Sequence, residues 1–272
     1  MYDMPIPEDD GLYIPSVGQW SCDKHWFLGR YIDAFTTSMR KKKWDGLYYI
    51  DLFAGAGIER LEGSEKLCWG SPMIAAQAPR PFDGLYFCEK NAEMCNALKA
   101  RMEKIVKNTH IVNGYANDEI CDIVRKIPKN ALSLAFLDPF GLHLAFDTLK
   151  TLSTIRCDLI IFFPDYLDAM RNWEHNYFDS PKSNLDRCLG KGADWRAIIN
   201  NTPRNRIAET LRELYVKQIK KLGYTEFAYQ RIEAKNHPLY ILILCARNKL
   251  AVQLWDRISQ KRRDGQRMIP FD

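Results

Sequence analysis

Between residues 47 and 163, short runs rich in aliphatic and aromatic residues alternate with segments of helical spacing. This alternation constrains the fold more than any other feature. The runs are LYYIDLF at 47–53, GLYFCE at 84–89, residues 109–112, LSLAFL at 132–137 and DLIIFF at 158–163. Helical patterns lie between them, at about 91–106, 118–126 and 144–152. Strands separated by helices pair in parallel, because a helix supplies the crossover that two parallel strands need. Nearly unbroken apolar strands belong to a sheet covered on both faces, so a doubly wound α/β sheet is expected. The pattern lapses after 170 and resumes as a helix at 205–222, stopped by Gly223. Strands at 225–232 and 239–246 follow, too close together for anything but a hairpin, which adds an antiparallel edge. A last amphipathic helix carries Leu250, Leu254, Trp255 and Ile258.

The flanks are less regular. Residues 1–21 hold three prolines and little periodicity, and a helix is expected from Cys22 to about Lys43 with Ser21 as its N-cap. Residues 171–203 contain Trp173, Tyr177, Phe178 and Trp195 without a clear strand. The expected divisions are 1–45 (arm and helix), 46–170 (core), 171–204 (insertion) and 205–272 (the rest of the core). The formal net charge of +5 is too mild to demand a polyanionic partner. Arg40 to Lys43 and Lys261 to Arg263 are basic clusters that fit solvated helix ends or phosphate contacts. The longest apolar stretches, such as 240–246, are far short of a bilayer span of ~20 residues, and no leader pattern opens the chain. No membrane association and a cytoplasmic location are therefore expected. The eight cysteines contain no C-x-x-C pair and no zinc-ligand spacing. They read as small buried hydrophobes, and no metal site is expected.

Three strand ends carry the candidate chemistry. The first is Tyr49-Ile50-Asp51-Leu52-Phe53-Ala54-Gly55-Ala56-Gly57, where glycines directly after a strand let the backbone turn sharply and approach a ligand. A pyrophosphate cradle is disfavoured, because a third glycine and an immediate helix are both missing. Asp51 places a carboxylate where a cation or amine can bind. The second is Glu89, placed to accept hydrogen bonds from both hydroxyls of a ribose. A ribose without a pyrophosphate cradle points to S-adenosylmethionine. The third is Leu137-Asp138-Pro139-Phe140-Gly141. There a carboxylate can hold an exocyclic amine, a proline stiffens the turn, and a ring can stack on a base. Ordinary structural readings stand beside these: a capping Asp, a strand-end charge, and a Pro-Gly turn with a core Phe.

Together these motifs resemble a class I S-adenosylmethionine-dependent methyltransferase. More narrowly, the chain is similar to the three-Cys-motif partner (TcmP) family. The matching pieces are Asp23-Lys24-His25 with its following helix, the Tyr49–Gly57 motif, Gly70-Ser71-Pro72 and Leu137 to Gly141. The resemblance implies a seven-stranded, mostly parallel, Rossmann-like methyltransferase sheet and a partner protein bearing a three-cysteine motif. Asp138, Pro139 and Phe140 would be the catalytic set. Lys24, His25, Asp51, Phe53, Gly55, Gly57 and Glu89 would hold the cofactor. Many methyltransferases carry Gly-Asp after the third strand, whereas Gly114 is followed here by Tyr115, so Asn117 or Asp118 would meet the adenine. Asp-Pro-Phe-Gly also resembles tRNA guanine-N2 methyltransferases, which implies a nucleobase amine as acceptor.

Ser71-Pro72 reads independently as a helix start, making 58–69, with Arg60 and Trp69, an insertion able to cover the cofactor. Arg171, Arg187, Arg196, Arg204 and Arg206 offer phosphate contacts, and the nearby aromatics either stack on bases or form a local core. Three classes of function stay open: an amine methyltransferase, a cofactor-binding subunit of a complex, and a nucleotide-dependent enzyme of another kind.

Overall fold

Alternation of side chains along each central strand organises the molecule. In β2 (Leu47–Asp51), Leu47 and Tyr49 enter one apolar core while Ile50 enters another. In β7 (Leu132–Leu137), Leu132, Leu134 and Phe136 share the first core, and Ala135 and Leu137 the second. The same division runs through β5 (Gly84–Glu89), β8 (Cys157–Phe163) and β10 (His237–Ala246). Strands buried on both faces must be apolar throughout, as the sequence is. The computed structural model describes residues 5–164, 177–178, 180, 182–234 and 237–260.

With β6 (Thr109–Asn113) and β9 (Glu226–Ala234), these strands form one seven-stranded sheet in the order β6-β5-β2-β7-β8-β10-β9. The first five pair in parallel, and β10 runs antiparallel to both β8 and β9. The chain leaves β2 toward β5 and β6, then returns to β7 on the other side, so the topological switch point lies between β2 and β7. This is the mostly parallel, Rossmann-like methyltransferase sheet with an antiparallel C-terminal hairpin that was expected.

One face is covered by α1 (Trp20–Met39), α2 (Ser71–Ala76), α3 (Ala92–Met102) and α9 (Lys249–Ser259). The other carries α4 (Ala116–Arg125), α5 (Phe146–Leu152), α6 (Asn184–Leu189), α7 (Trp195–Asn200) and α8 (Ile207–Lys220). α1 packs on α9 and α2, where Tyr31 and Trp255 meet with ring centroids 5.6 Å apart. Residues 58–69 form the hairpin of β3 (Ile58–Leu61) and β4 (Leu67–Trp69), and β1 (Ser16–Val17) adds to β3 in parallel.

Two expected caps sit elsewhere. Gln19 caps α1 without a side-chain hydrogen bond, so Ser21 lies inside the helix. Gly70 caps α2, which places Ser71 at the first helical position and Pro72 at the second. In both cases the hydroxyl has a tertiary partner in place of the helix end: Glu59 for Ser21 and Asp51 for Ser71.

The arm is anchored rather than loose. Arg101 on α3 grips Asp10 through two hydrogen bonds of 2.8 and 2.7 Å. The same guanidinium donates to the carbonyls of Tyr13 and Ala56 at 3.1 and 2.6 Å.

Of the insertion, residues 171–176, with Arg171 and Trp173, lie outside the described residues. Tyr177 and Trp195 are buried in the α4–α8 core, and Phe178 packs against it, so these aromatics build core and do not offer a base-stacking face. Arg196 is equally committed. It bonds Asp186 and the carbonyls of Phe178, Tyr177 and Ser180, which corrects its reading as a phosphate contact. Arg206 pairs with Glu209, Arg204 is exposed in the turn before α8, and Arg187 is exposed on α6. Arg40 to Lys43 follow α1 just before β2 begins, at the opposite end of the sheet from the strand ends that carry the candidate chemistry. Lys261 to Arg263 lie outside the described residues.

Candidate functional site

β5, β2 and β7 are neighbours, so their carboxyl ends bring Glu89, Asp51 and Asp138 to one edge of the sheet beside the switch point. Each carboxylate has a different environment. Glu89 accepts from the Gly55 N–H at 2.9 Å through Oε2 and from the Asn91 N–H at 2.8 Å through Oε1. Those two bonds fix its orientation and leave one acceptor site on each oxygen. Asp51 is fully buried. Its Oδ1 accepts from the Phe53 N–H at 3.1 Å, while Oδ2 has no hydrogen-bond partner among the described residues. Burial pushes its carboxyl up to about 7. Ser71 and the Phe53 N–H offset part of that rise, and Asp138 and Glu89 add to it by repulsion.

Asp138 is paired. The Lys24 ammonium donates to its Oδ2, and Lys24 also stands 5.1 Å from the Phe162 ring centroid. Lys24 is the fifth residue of α1, and its side chain is only 7% exposed. Burial alone would push its ammonium down. The charges of Asp138 and Glu59 reverse that and leave it raised. Beyond Asp138, Pro139 is buried and Phe140 is 90% exposed, the most exposed large apolar side chain among the described residues.

The glycine loop has its expected form. Gly55 and Gly57 adopt φ of 64° and 90°, a region that side chains disfavour. A Cβ at Gly55 would meet nothing within 4 Å, whereas one at Gly57 would stand 3.0 Å from Met73 and 3.1 Å from Leu98. Thus Gly57 serves packing against α2 and α3, and Gly55 borders open space. Phe53 is half-buried and packs toward the α4–α8 core.

The remaining residues named from sequence are placed differently. Asn117 is committed within the fold. Its Oδ1 accepts from Ala145 N–H at 3.0 Å and from Thr148 at 2.7 Å, and its Nδ2 donates to the His143 carbonyl at 2.9 Å. Asp118 is exposed in the first turn of α4. His25 is buried, but it faces the β3–β4 hairpin, with Nδ1 3.6 Å from Glu59 Oε2 and a backbone hydrogen bond to Trp69. Burial and the neighbouring Lys24 hold it neutral, well below the usual histidine value. Burial also raises Glu59 to about 7, with Lys24 lowering it in part. Sequence reading missed Glu59 and Cys68 because they lie in an insertion with no motif of its own.

The insertion does not lie free over the site. Trp69 Nε1 donates to the Pro5 carbonyl at 2.6 Å, and Arg60 bonds Asp9 at 2.8 Å.

No protein-family model matches the chain, and no curated protein matches it in sequence. Among solved structures it is similar to protein LPL1258 of Legionella pneumophila, with TM-score 0.53, 11% identity and coverage of 89% of this chain and 91% of that one. Two further similar structures are cofactor-bound Rv0187 from MTB and M. jannaschii TYW2 in complex with AdoMet. The first has TM-score 0.48 and 10% identity, covering 84% of this chain and 81% of that one. The second has TM-score 0.41 and 12% identity, covering 84% and 75%. Likeness at these identities is likeness of fold. Strand order, pairing and the glycine loop after the first central strand give the chain a Rossmann-like α/β fold of the class I methyltransferase type.

Proposed function

We propose that the chain binds S-adenosylmethionine at the carboxyl ends of β5, β2 and β7 and transfers its methyl group to an exocyclic amine of a nucleobase. The observation that carries this reading is the convergence of Glu89, Asp51 and Asp138, with Asp51 Oδ2 lacking a partner among the described residues. Such a site favours a cationic ligand and repels a pyrophosphate, which argues against a dinucleotide. The residues fit the cofactor. Glu89 has two acceptor positions for ribose hydroxyls, Gly55 borders open space, and Asp51 can take an ammonium.

S-adenosylmethionine brings a methyl group on a sulfonium, a good leaving group, so the protein mainly needs to align and desolvate the acceptor. Asp138 then accepts a hydrogen bond from the amine and orients its lone pair, while Phe140 stacks on the base. Binding of S-adenosylmethionine but not NAD in calorimetry supports the reading, and the reverse refutes it. Labelled methyl transfer to RNA, DNA and protein fractions tests the acceptor, and Asp138→Ala should abolish transfer with cofactor binding kept within a few-fold.

One observation favours a second reading. In the free chain Lys24 already holds Asp138, so a partner protein, of the three-Cys-motif kind that the sequence resemblance implies, would be needed to release it. Firm cofactor binding with no labelled fraction from the isolated chain supports this alternative.

A further inference from the structure

Outside the strand-end site, the fold gathers metal-ligand chemistry from segments far apart in sequence. His25 Nδ1, one Glu59 carboxylate oxygen and Cys68 Sγ all lie within 4.8 Å of one another. The His25–Glu59 and Cys68–Glu59 separations are 3.6 and 4.0 Å. Donors bound tetrahedrally to zinc at ~2.0–2.3 Å stand about 3.3–3.8 Å apart, so a small contraction would close this set around one ion. Cys22 stands outside this close set and would have to draw in as the fourth ligand. It lies one turn before His25 on the same helix and hydrogen-bonds Cys68 thiol to thiol.

We propose that Cys22, His25, Glu59 and Cys68 bind one zinc ion, which ties the start of α1 to the β3–β4 hairpin. Three details of the surroundings suit that role. The Nδ1 of His25 is buried with no hydrogen-bond partner among the described residues, and its ring is anchored on the Trp69 backbone, the outer-shell contact that orients metal-bound histidines. Ser21 hydrogen-bonds Glu59 from the helix side. Glu59 and Cys68 are directly paired across the hairpin, so its register fixes two ligands at once.

Charge also balances. Two thiolates and one carboxylate exceed the dication by one negative charge, and the Lys24 ammonium lies beside them. Without a cation, burial holds Glu59, and the Cys22 hydrogen bond together with burial holds Cys68, toward their neutral forms. Loading therefore releases the two thiol protons, and the Glu59 proton where that carboxyl is protonated, to solvent as two zinc–sulfur bonds and one zinc–oxygen bond form.

The test is metal content by mass spectrometry of the reduced, full chain after incubation with zinc and gel filtration. Cobalt titration runs in parallel, read by the absorption of thiolate-bound tetrahedral Co²⁺. One zinc per chain is expected. Cys68→Ser and His25→Ala should weaken cobalt binding by more than the ~10–100-fold typical of losing an outer-shell partner. Cys121→Ser, at an exposed cysteine, should leave it unchanged. Should a variant fail to fold, alkylation of the wild-type chain decides, with zinc expected to protect Cys22 and Cys68 against iodoacetamide. Absence of stoichiometric zinc, zinc retained at full affinity in both variants, or a Cys22–Cys68 disulfide that leaves no metal binding after reduction would each overturn the proposal.

Discussion

Asp10→Ala removes the acidic half of the clamp that holds the N-terminal arm beside the glycine loop. Arg101 makes four hydrogen bonds, two to Asp10 and two to carbonyls, and its side chain is 2% exposed. Removing one partner of a buried pair typically costs 3–5 kcal/mol, mostly because the other charge stays buried and uncompensated. Two features reduce that figure. Asp10 is 26% exposed and partly screened, and the carbonyls of Tyr13 and Ala56 continue to solvate the guanidinium. A loss of about 2–3 kcal/mol is expected, measured as a shift in urea midpoint at constant m-value. Asp10→Asn should cost less, since one amide oxygen still accepts. Arg101 holds the Asp10 carboxyl below its ordinary value of 3.8, so the clamp contributes fully above that pH and is lost as pH falls through the lowered value. Acid titrations of the wild type and Asp10→Ala should therefore begin to approach each other only below 3.8 and meet below the lowered value. Because Ala56 belongs to the glycine loop, Asp10→Ala should also speed hydrogen exchange there. A stability change under about 0.5 kcal/mol, within the range of ordinary surface substitutions, would refute the clamp.

Asp51 gives a pH prediction. With its carboxyl held at about 7, pairing with a ligand ammonium below that pH requires loss of a proton, so cofactor affinity should fall by up to about tenfold per pH unit below 7 in calorimetry. The sign for folding is opposite to that of Asp10: a raised carboxyl favours the fold at low pH, and the benefit fades as pH rises through about 7. Asp186→Ala should cost about 2–4 kcal/mol in denaturant melts, since Asp186 receives bonds from Trp195 at 2.8 Å, Arg196 at 2.7 Å and the Ser183 N–H at 2.9 Å. Phe140→Ala should leave thermal stability within about 0.5 kcal/mol, because its ring is 90% exposed, yet weaken acceptor binding by ~1–3 kcal/mol if it stacks on a base.

The sheet was legible because burial on both faces forces a signature that composition alone can carry. Leu132 to Leu137 and Cys157 to Phe163 have almost no polar position, and nothing but a covered central strand needs that. The positions of Asp51, Glu89 and Asp138 followed directly, since a strand end is a local property. Side-chain partners chosen across the fold were less legible. Ser21 and Ser71 have ideal capping chemistry, but each is drawn to a buried carboxylate that no local pattern reveals. Asn117 is adjacent to the expected adenine position, yet three bonds to the segment at 143–148 absorb its amide. The insertion's aromatics were ambiguous for the same reason, and the core on the α4–α8 face decided between stacking and packing. His25, Glu59 and Cys68 come from a helix and two strands of a separate small sheet, so spacing could not relate them.

Lys24 stands between the strand-end carboxylate Asp138 and Glu59 of the insertion. A nearly buried lysine is unfavourable unless anions surround it. Asp138 and Glu59 supply them from opposite sides, one from the sheet edge and one from the insertion. A ligand amine at Asp138 would therefore compete with Lys24 for that carboxylate, with Glu59 remaining as the ammonium's second counter-charge. A zinc cluster on the hairpin side, at one net negative charge, would hold the ammonium as Glu59 does.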